Sequence, residues 1–384
     1  MDGLIPFNRP HVPAAAQALV AECLASGHHS GDGPFTRAAT QKLRGHVGGG
    51  GVLLTTSCTH ALEMAALLLD VGPGDEVIMP SFAFVSAANA FVLRGATVVF
   101  VDCRPDTFNL DERLLEDAIT PRTKAVVLIH YGGVACAMDV IGDIAARHGI
   151  AIVEDNAHGL GATSDGRPLG SFGALATQSF HETKNVQCGE GGALVVNDPA
   201  LLERAEILRE KGTNRTQFAR GEVDKYRWLD VGSSYLPGDL LAALLCAQLD
   251  AFDDIQARRG AIWSTYDTEL SAWRRDHGVP AQHVPADVAH PSHLYSLLLP
   301  DRADRDRFIR HMADAGITSP FHYVPLHDAP GARGRSRVAP SGCAVTNDVS
   351  ARLARLPLFP DLGATGVERV LEAVVGFVPR RPHD

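Results

Sequence analysis

Between Val52 and Glu154 the chain repeats one beat: a short run that is apolar throughout, then a helix-like stretch. The runs are Val52–Thr55, Glu76–Met79, Thr97–Val101, Ala125–Ile129 and Ala151–Glu154. The stretches between them are Thr59–Asp70, Val85–Leu93, Glu112–Ile119 and Asp139–His148. A strand with one wet face alternates apolar and polar residues; a strand that is apolar throughout is covered on both faces. Helices between such strands make the connections crossovers and the sheet parallel. Leu175–Phe180 and Ala193–Val196 bring the count to about seven strands. The expected fold is therefore α/β, a mostly parallel seven-stranded sheet in a large domain.

A length of 384 residues predicts two domains. After Ala193–Val196 the beat stops. Helices are expected at Asp239–Ala251, Ile255–Leu270, Arg305–Ala315 and Gly366–Phe377, with a strand at Leu294–Leu299 among prolines. This reads as a large domain over 1–250 and a smaller α+β domain over 251–384. No apolar run approaches the length of a membrane span, and no basic-then-apolar leader opens the sequence. The formal charge of −10 argues against nucleic acid as a partner. Seven scattered cysteines with no C-x-x-C pair suit reduced cytoplasmic thiols, not a disulfide framework or a zinc site. No matched set of metal ligands is seen. Six basic residues between Arg209 and Arg227, against three acidic ones, read either as a solvated loop or as a surface for an anion or a second subunit.

In an open parallel sheet, ligands gather at the carboxyl ends of the strands. After the first run comes Thr56-Ser57-Cys58-Thr59, leading into a helix. Free amides and small hydroxyls there suit a phosphate, and equally suit plain N-capping by Ser57 or Thr59. After the second run come Phe82 and Phe84, aromatic faces or core. Asp155 follows the fifth run, either as a partner for a positively charged ring nitrogen or as an ordinary turn residue. Ser179 ends the sixth, and Lys184 follows it before a glycine cluster, Gly189, Gly191 and Gly192. Lysine is scarce here, five among 35 basic side chains, and only Lys184 sits between two buried-looking strands. It is either a Schiff-base amine of depressed pKa or a lysine that snorkels to the surface. Taken together, these strand ends supply a phosphate cradle, an aromatic plate, a carboxylate and an amine. Pyridoxal 5′-phosphate requires that set.

The stretches Thr56–Leu62, Pro73–Ser81, Val153–His158 and Ser179–Asn185 resemble the fold-type I sugar aminotransferases named for DegT, DnrJ, EryC and StrS. The resemblance covers nearly the whole chain. The segments 130–136, 210–215, 230–236 and 321–327 are most similar to the branch that aminates dTDP-4-keto-6-deoxyglucose at C4. The resemblance implies that Lys184 condenses with the cofactor aldehyde and later moves the proton, and that Asp155 pairs with the ring nitrogen. It implies that Phe84 stacks on the ring, that His158 contacts the phenolic oxygen, and that Ser57, Cys58, Thr59 and Ser179 hold the phosphate. Ser234 stands where many members place a phosphate-binding Asn from the partner subunit, so a homodimer with shared sites is implied. Gly31, Asp32, Gly33, Tyr235, His322, Tyr323 and His327 are the sugar-site candidates. The implied amino donor is L-glutamate, with pyridoxamine phosphate as the form between the two half-reactions. The alternatives are amination at C3 or a deoxysugar dehydratase; the dehydratase branch has His in place of the lysine, and Lys184 argues against it. A nicotinamide enzyme is disfavoured because no G-x-G-x-x-G follows the first strand.

Overall fold

The computed structural model describes residues 3–380. Seven strands carry the beat: β1 Gly51–Thr55, β2 Glu76–Pro80, β3 Thr97–Val101, β4 Thr123–Ile129, β5 Ala151–Asp155, β6 Leu175–Ser179 and β7 Gly192–Val196. Later strands of three or more residues are β8 Tyr295–Leu298, β9 Ser336–Val338 and β10 Leu353–Leu356. The main sheet has the order β1-β7-β6-β5-β4-β2-β3-β9. Only β7 runs against its neighbours, pairing antiparallel with both β1 and β6. Burial on both faces is explicit in β3. Val98 and Phe100 pack into one helical layer with Ala61, Leu62 and Phe91; Val99 and Val101 enter the opposite one with Ile141 and Ile144.

The sheet has eight strands, not seven. The extra edge strand, β9, is Ser-Arg-Val, paired parallel to β3. Three residues are too few for periodicity to mark. Its Arg337 reaches the buried Glu76 carboxylate (2.7 and 3.1 Å), which also accepts from Arg122 and Thr120. The smaller core is built on the antiparallel pair β8–β10 with helices Phe252–Glu269, Arg302–Asp314 and Gly363–Val375. Ile5 belongs to this core as well, bonded through its backbone to Gly316 (2.8 Å). The chain thus crosses between the two cores twice outside the expected division at residue 250, once at each end. Pairing across more than 300 residues leaves no local trace in a sequence.

Most helix bounds fall within three residues of expectation. The exception is the expected helix from Glu112 to Ile119, which is a 3-10 turn, Glu112–Leu114, joined to one helical turn, Leu115–Ala118. The polar stretch 212–230 contains a short helix, Arg215–Ala219. Several cations in and beside it are paired with nearby carboxylates: Lys211 and Arg215 with Glu210, and Arg220 with Glu206 and Glu222.

Candidate active site

The carboxyl ends of β1, β5 and β6 open into one cavity of about 810 Å³. Its large-domain wall includes Ser57, Cys58, Thr59, Phe84, Asp155, His158, Ser179 and Lys184. Its other wall comes from Arg259, His293, the segment Phe321–Val324, and Arg355. Phe7 and Asn8 also line it.

At the β1 end, both readings of Ser57 hold together. Ser57 is the N-cap of helix Cys58–Leu68, its Oγ accepting from the His60 amide (3.1 Å). The amides of the first turn are left toward the cavity, at the positive end of the helix. Thr59 Oγ1 bonds Ser86 Oγ (2.8 Å), a hydroxyl that sits inside the next helix and not at a strand end. The adjacent backbone of β7 comes very close: a Cβ on Gly192 would stand 2.4 Å from Cys58 N. Only glycine fits there, so Gly192 serves the packing of strand against helix. Gly189, at φ +82°, makes the turn.

Asp155 is buried and accepts one protein hydrogen bond, from the Ala157 amide (3.2 Å). Burial raises its carboxyl above the usual range, and the Ala157 amide and then Lys184 offset this only in part. Lys184 lines the cavity, and its amine has no hydrogen bond or ion pair among the described residues. Burial lowers its pKa, Cys58 and Asp155 act in the opposite sense, and Arg355 adds to the lowering. A readily deprotonated amine is what a nucleophile requires. His158 takes the Gly132 amide on Nδ1 (3.2 Å), so Nε2 carries the proton. Burial first, and Lys184 next, hold His158 far below its ordinary pKa, so it is a neutral donor.

A support chain runs from Lys184 into the smaller domain. Its neighbour Asn185 donates to Gln256 Oε1 (3.0 Å) and to the Pro291 carbonyl (2.7 Å), and accepts from His293 Nδ1 (2.8 Å). The His293 ring stacks on His158, with centroids 4.3 Å apart. Tyr323 stacks on His322 at 3.8 Å, and His322 Nδ1 meets the buried Tyr131 hydroxyl at 3.0 Å. Asn185, His293, Arg259 and Arg355 escaped sequence reasoning because the first three sit in ordinary helix or loop contexts and Arg355 in an apolar strand. A charge in Leu-Ala-Arg-Leu-Pro was the one available signal.

Six sequence candidates do not line this cavity. Asp32 instead pairs with the buried Arg209 (2.8 Å to both oxygens). Gly31 packs on Leu236, and Gly33 on Asp239, whose carboxylate binds the Phe35 and Thr36 amides at the start of helix Pro34–His46. Tyr235 is in the core against His60. His327 is held by Ser81 Oγ (2.7 Å). Ser234 is exposed on the outer surface, beside Glu210.

The residues fit pyridoxal phosphate on their own geometry: a helix N-terminus with free amides, a buried carboxylate one hydrogen bond short, and an unpaired amine facing the same space. The comparisons agree. Residues 11–375 match the model of the DegT/DnrJ/EryC1/StrS aminotransferase family. The spore coat polysaccharide biosynthesis protein SpsC of Bacillus subtilis (strain 168) is 34% identical over 97% of each chain. The aminotransferase TlmJ of Streptoalloteichus hindustanus superposes with a TM-score of 0.87 at 31% identity, over 98% of each chain. Spr1654 of Streptococcus pneumoniae, solved in PLP and PMP forms, gives 0.88 at 28% identity; its PLP form is covered over 97% of each chain. With Lys184 and Asp155 standing where this chemistry needs them, the chain belongs to the DegT/DnrJ/EryC1/StrS family and is a pyridoxal phosphate-dependent aminotransferase.

Proposed function

We propose that the enzyme transfers the amino group of L-glutamate to C4 of dTDP-4-keto-6-deoxyglucose, giving a dTDP-4-amino-4,6-dideoxyhexose. The observation that carries this reading is the wall of the Lys184 cavity. It includes Phe321-His322-Tyr323-Val324, part of a segment whose sequence resembles the C4-aminating branch. Stacked His322 and Tyr323 present flat faces and polar tips, a surface suited to a sugar ring. The SpsC name, from a polysaccharide pathway, supports a sugar as the acceptor.

Pyridoxal phosphate, when bound, supplies the electron sink that makes the donor's α-hydrogen acidic. The protein does the rest. Amides at the head of helix Cys58–Leu68, with Thr59 and Ser179, hold the phosphate. Asp155 keeps the ring nitrogen charged, since a carboxylate in a dry site with one protein hydrogen bond gains most from a cation. Phe84, 58% exposed without a ligand, covers one ring face. His158 donates to the phenolic oxygen through Nε2. Lys184 would be the base and acid, taking the proton from the donor's α-carbon and delivering it to the carbon of the cofactor's aldehyde. Walls from both domains exclude water. Phe218, Tyr226, Trp228, Leu229 and Val231 are exposed near Ser234, and Trp228 is 81% exposed. That apolar surface supports a homodimer in which Ser234 of a second copy completes the phosphate site, and the free, scattered cysteines suit the cytoplasm.

NMR of the product formed from dTDP-4-keto-6-deoxyglucose and glutamate tests the reading. An amine at C4 is expected, and the ring-proton couplings identify it as axial or equatorial. An amine at C3, or loss of a hydroxyl without amination, would break the reading. Lys184→Ala is expected to abolish turnover and the bleaching of the visible band by glutamate; full turnover in that variant would refute Lys184 as the acid–base group.

A further inference from the structure

Of the two arginines that line the cavity, Arg355 is the one whose Nε is buried without a partner among the described residues. It sits on β10, where alternation sends Ala354 and Leu356 into the small-domain core and turns Leu353 and Arg355 toward the large domain. The residue is only 9% exposed. Its Nη2 donates to the Phe321 carbonyl (3.1 Å), its plane lies 4.3 Å from the Phe7 ring centroid, and its buried Nε has no partner. Among the described residues no carboxylate lies within ion-pair distance of it; the groups that favour its charge are the Tyr131 and Tyr323 hydroxyls. Of the other deeply buried arginines, Arg209 and Arg305 have carboxylate partners, and Arg259, which like Arg355 has none among the described residues, spends its donors on backbone carbonyls. Arg209 is neutralised by Asp32, and Arg259 donates through Nε to the Ser292 carbonyl and through Nη2 to the His293 carbonyl (3.2 and 2.6 Å). A buried cation without a counter-ion is costly unless a ligand brings one.

The position of the charge narrows the ligand. Arg355 lines the same cavity as Lys184, His158, His293 and His322, held between the Phe7 ring and the Phe321 carbonyl. The diphosphate of a nucleotide sugar is attached across the ring from a C4 ketone, with a bulky nucleoside beyond it. With C4 at Lys184, that group extends away from the reacting carbon, toward the mouth. The α-carboxylate of an amino donor is one bond from the carbon whose proton Lys184 takes. We infer that Arg355 binds the α-carboxylate of the amino donor and so orients the α-hydrogen toward Lys184. In the second half-reaction the same guanidinium faces a neutral sugar, whose hydroxyls accept its hydrogen bonds. The aminotransferase assignment underlies this inference; the identity of the sugar does not enter it.

The test separates the two half-reactions in the holoenzyme. Wild-type protein is first screened against the common L-amino acids for bleaching of the cofactor band. If glutamate is not among the reactive donors, the donor proposed above is wrong, and Arg355 is judged on those that react, since all share the α-carboxylate. Arg355→Gln is expected to lower kcat/KM for every reactive donor by about 10- to 100-fold, chiefly through KM, because a charge-assisted hydrogen-bond pair is lost. The sugar half-reaction, started from the pyridoxamine form, is expected to change by less than about threefold, a hydrogen bond to a neutral group being worth less. Arg355→Lys is expected to restore part of the donor affinity. α-Methyl-L-glutamate, which has no α-hydrogen, is expected to bind the variant correspondingly more weakly by titration of the cofactor band. Equal losses in both halves, a loss confined to the sugar half, or a loss confined to acidic donors would each overturn the assignment. Unchanged melting and cofactor absorbance in Arg355→Lys separate these outcomes from misfolding.

Discussion

Glu154 and Asp155 are adjacent carboxylates at the end of one buried strand, and they face opposite ways. Glu154 is wholly buried and fully served. His130 Nε2 lies 3.0 Å away, and the amides of Gly170, Phe172 and Gly173 donate at 2.7–2.8 Å. Burial alone would raise its carboxyl, but His130 and these amides bring it below the usual range. Asp155, on the cavity side, has a single amide and a raised pKa. One face of the strand end spends its polar groups on the fold. The other withholds them for a ligand. A similar contrast separates Arg209, whose charge is met by Asp32, from Arg355, which has no carboxylate partner among the described residues. In this protein an underserved buried charge marks the site more clearly than charge itself.

Substitutions at the two carboxylates should therefore have opposite signatures. The largest effect is expected at Asp155. Asp155→Asn should reduce turnover by about a hundredfold or more, through loss of a fixed charge at the reacting group. The cofactor-free protein should meanwhile melt at the same temperature or higher, since a buried anion lacking partners has been removed. Steady-state kinetics and calorimetry on the same sample check both halves. A melting point that falls along with activity would show Asp155 to be structural.

Next is Glu154→Ala, which strands His130 and three amides. It should cost about 3 kcal/mol of stability, the range for breaking one side of a buried pair, read as a lowered denaturant midpoint. The smallest effect is on acid stability. Glu154 has a folded pKa below its unfolded one, so its contribution is complete above the ordinary carboxylate pKa and is lost as pH falls below it. Asp155 has a folded pKa above its unfolded one. It therefore opposes folding at neutral pH, and that penalty vanishes as pH falls below the unfolded value. Melting curves of the cofactor-free protein from about pH 7 to about pH 4 should accordingly fall less steeply in Glu154→Ala and more steeply in Asp155→Asn than in wild type. Parallel curves for all three would show that the two faces are not electrostatically distinct.

The sequence by itself determined the large sheet and the half of the site that it carries. Apolar runs between helices are a local, repeated signal, and a parallel sheet puts all its like ends together. Ser57, Cys58, Thr59, Asp155, Ser179 and Lys184 could therefore be placed at one edge without knowing a single contact. Motif resemblance added Phe84, His158, His322 and Tyr323, all of which line the cavity. Gly31, Asp32, Gly33, Tyr235 and His327 came with the same resemblance and do not, because their neighbours in space, Arg209, Asp239, His60 and Ser81, claim them. Beyond His322 and Tyr323, only the tertiary structure decided which residues of the second domain join them at the Lys184 cavity. Arg355, His293 and Phe7 arrive from a strand, a loop and the N-terminal segment more than 100 residues from Lys184. Their roles depend on which partners they lack or find after packing, and hydrogen-bond satisfaction across such distances leaves no periodicity for a sequence to display.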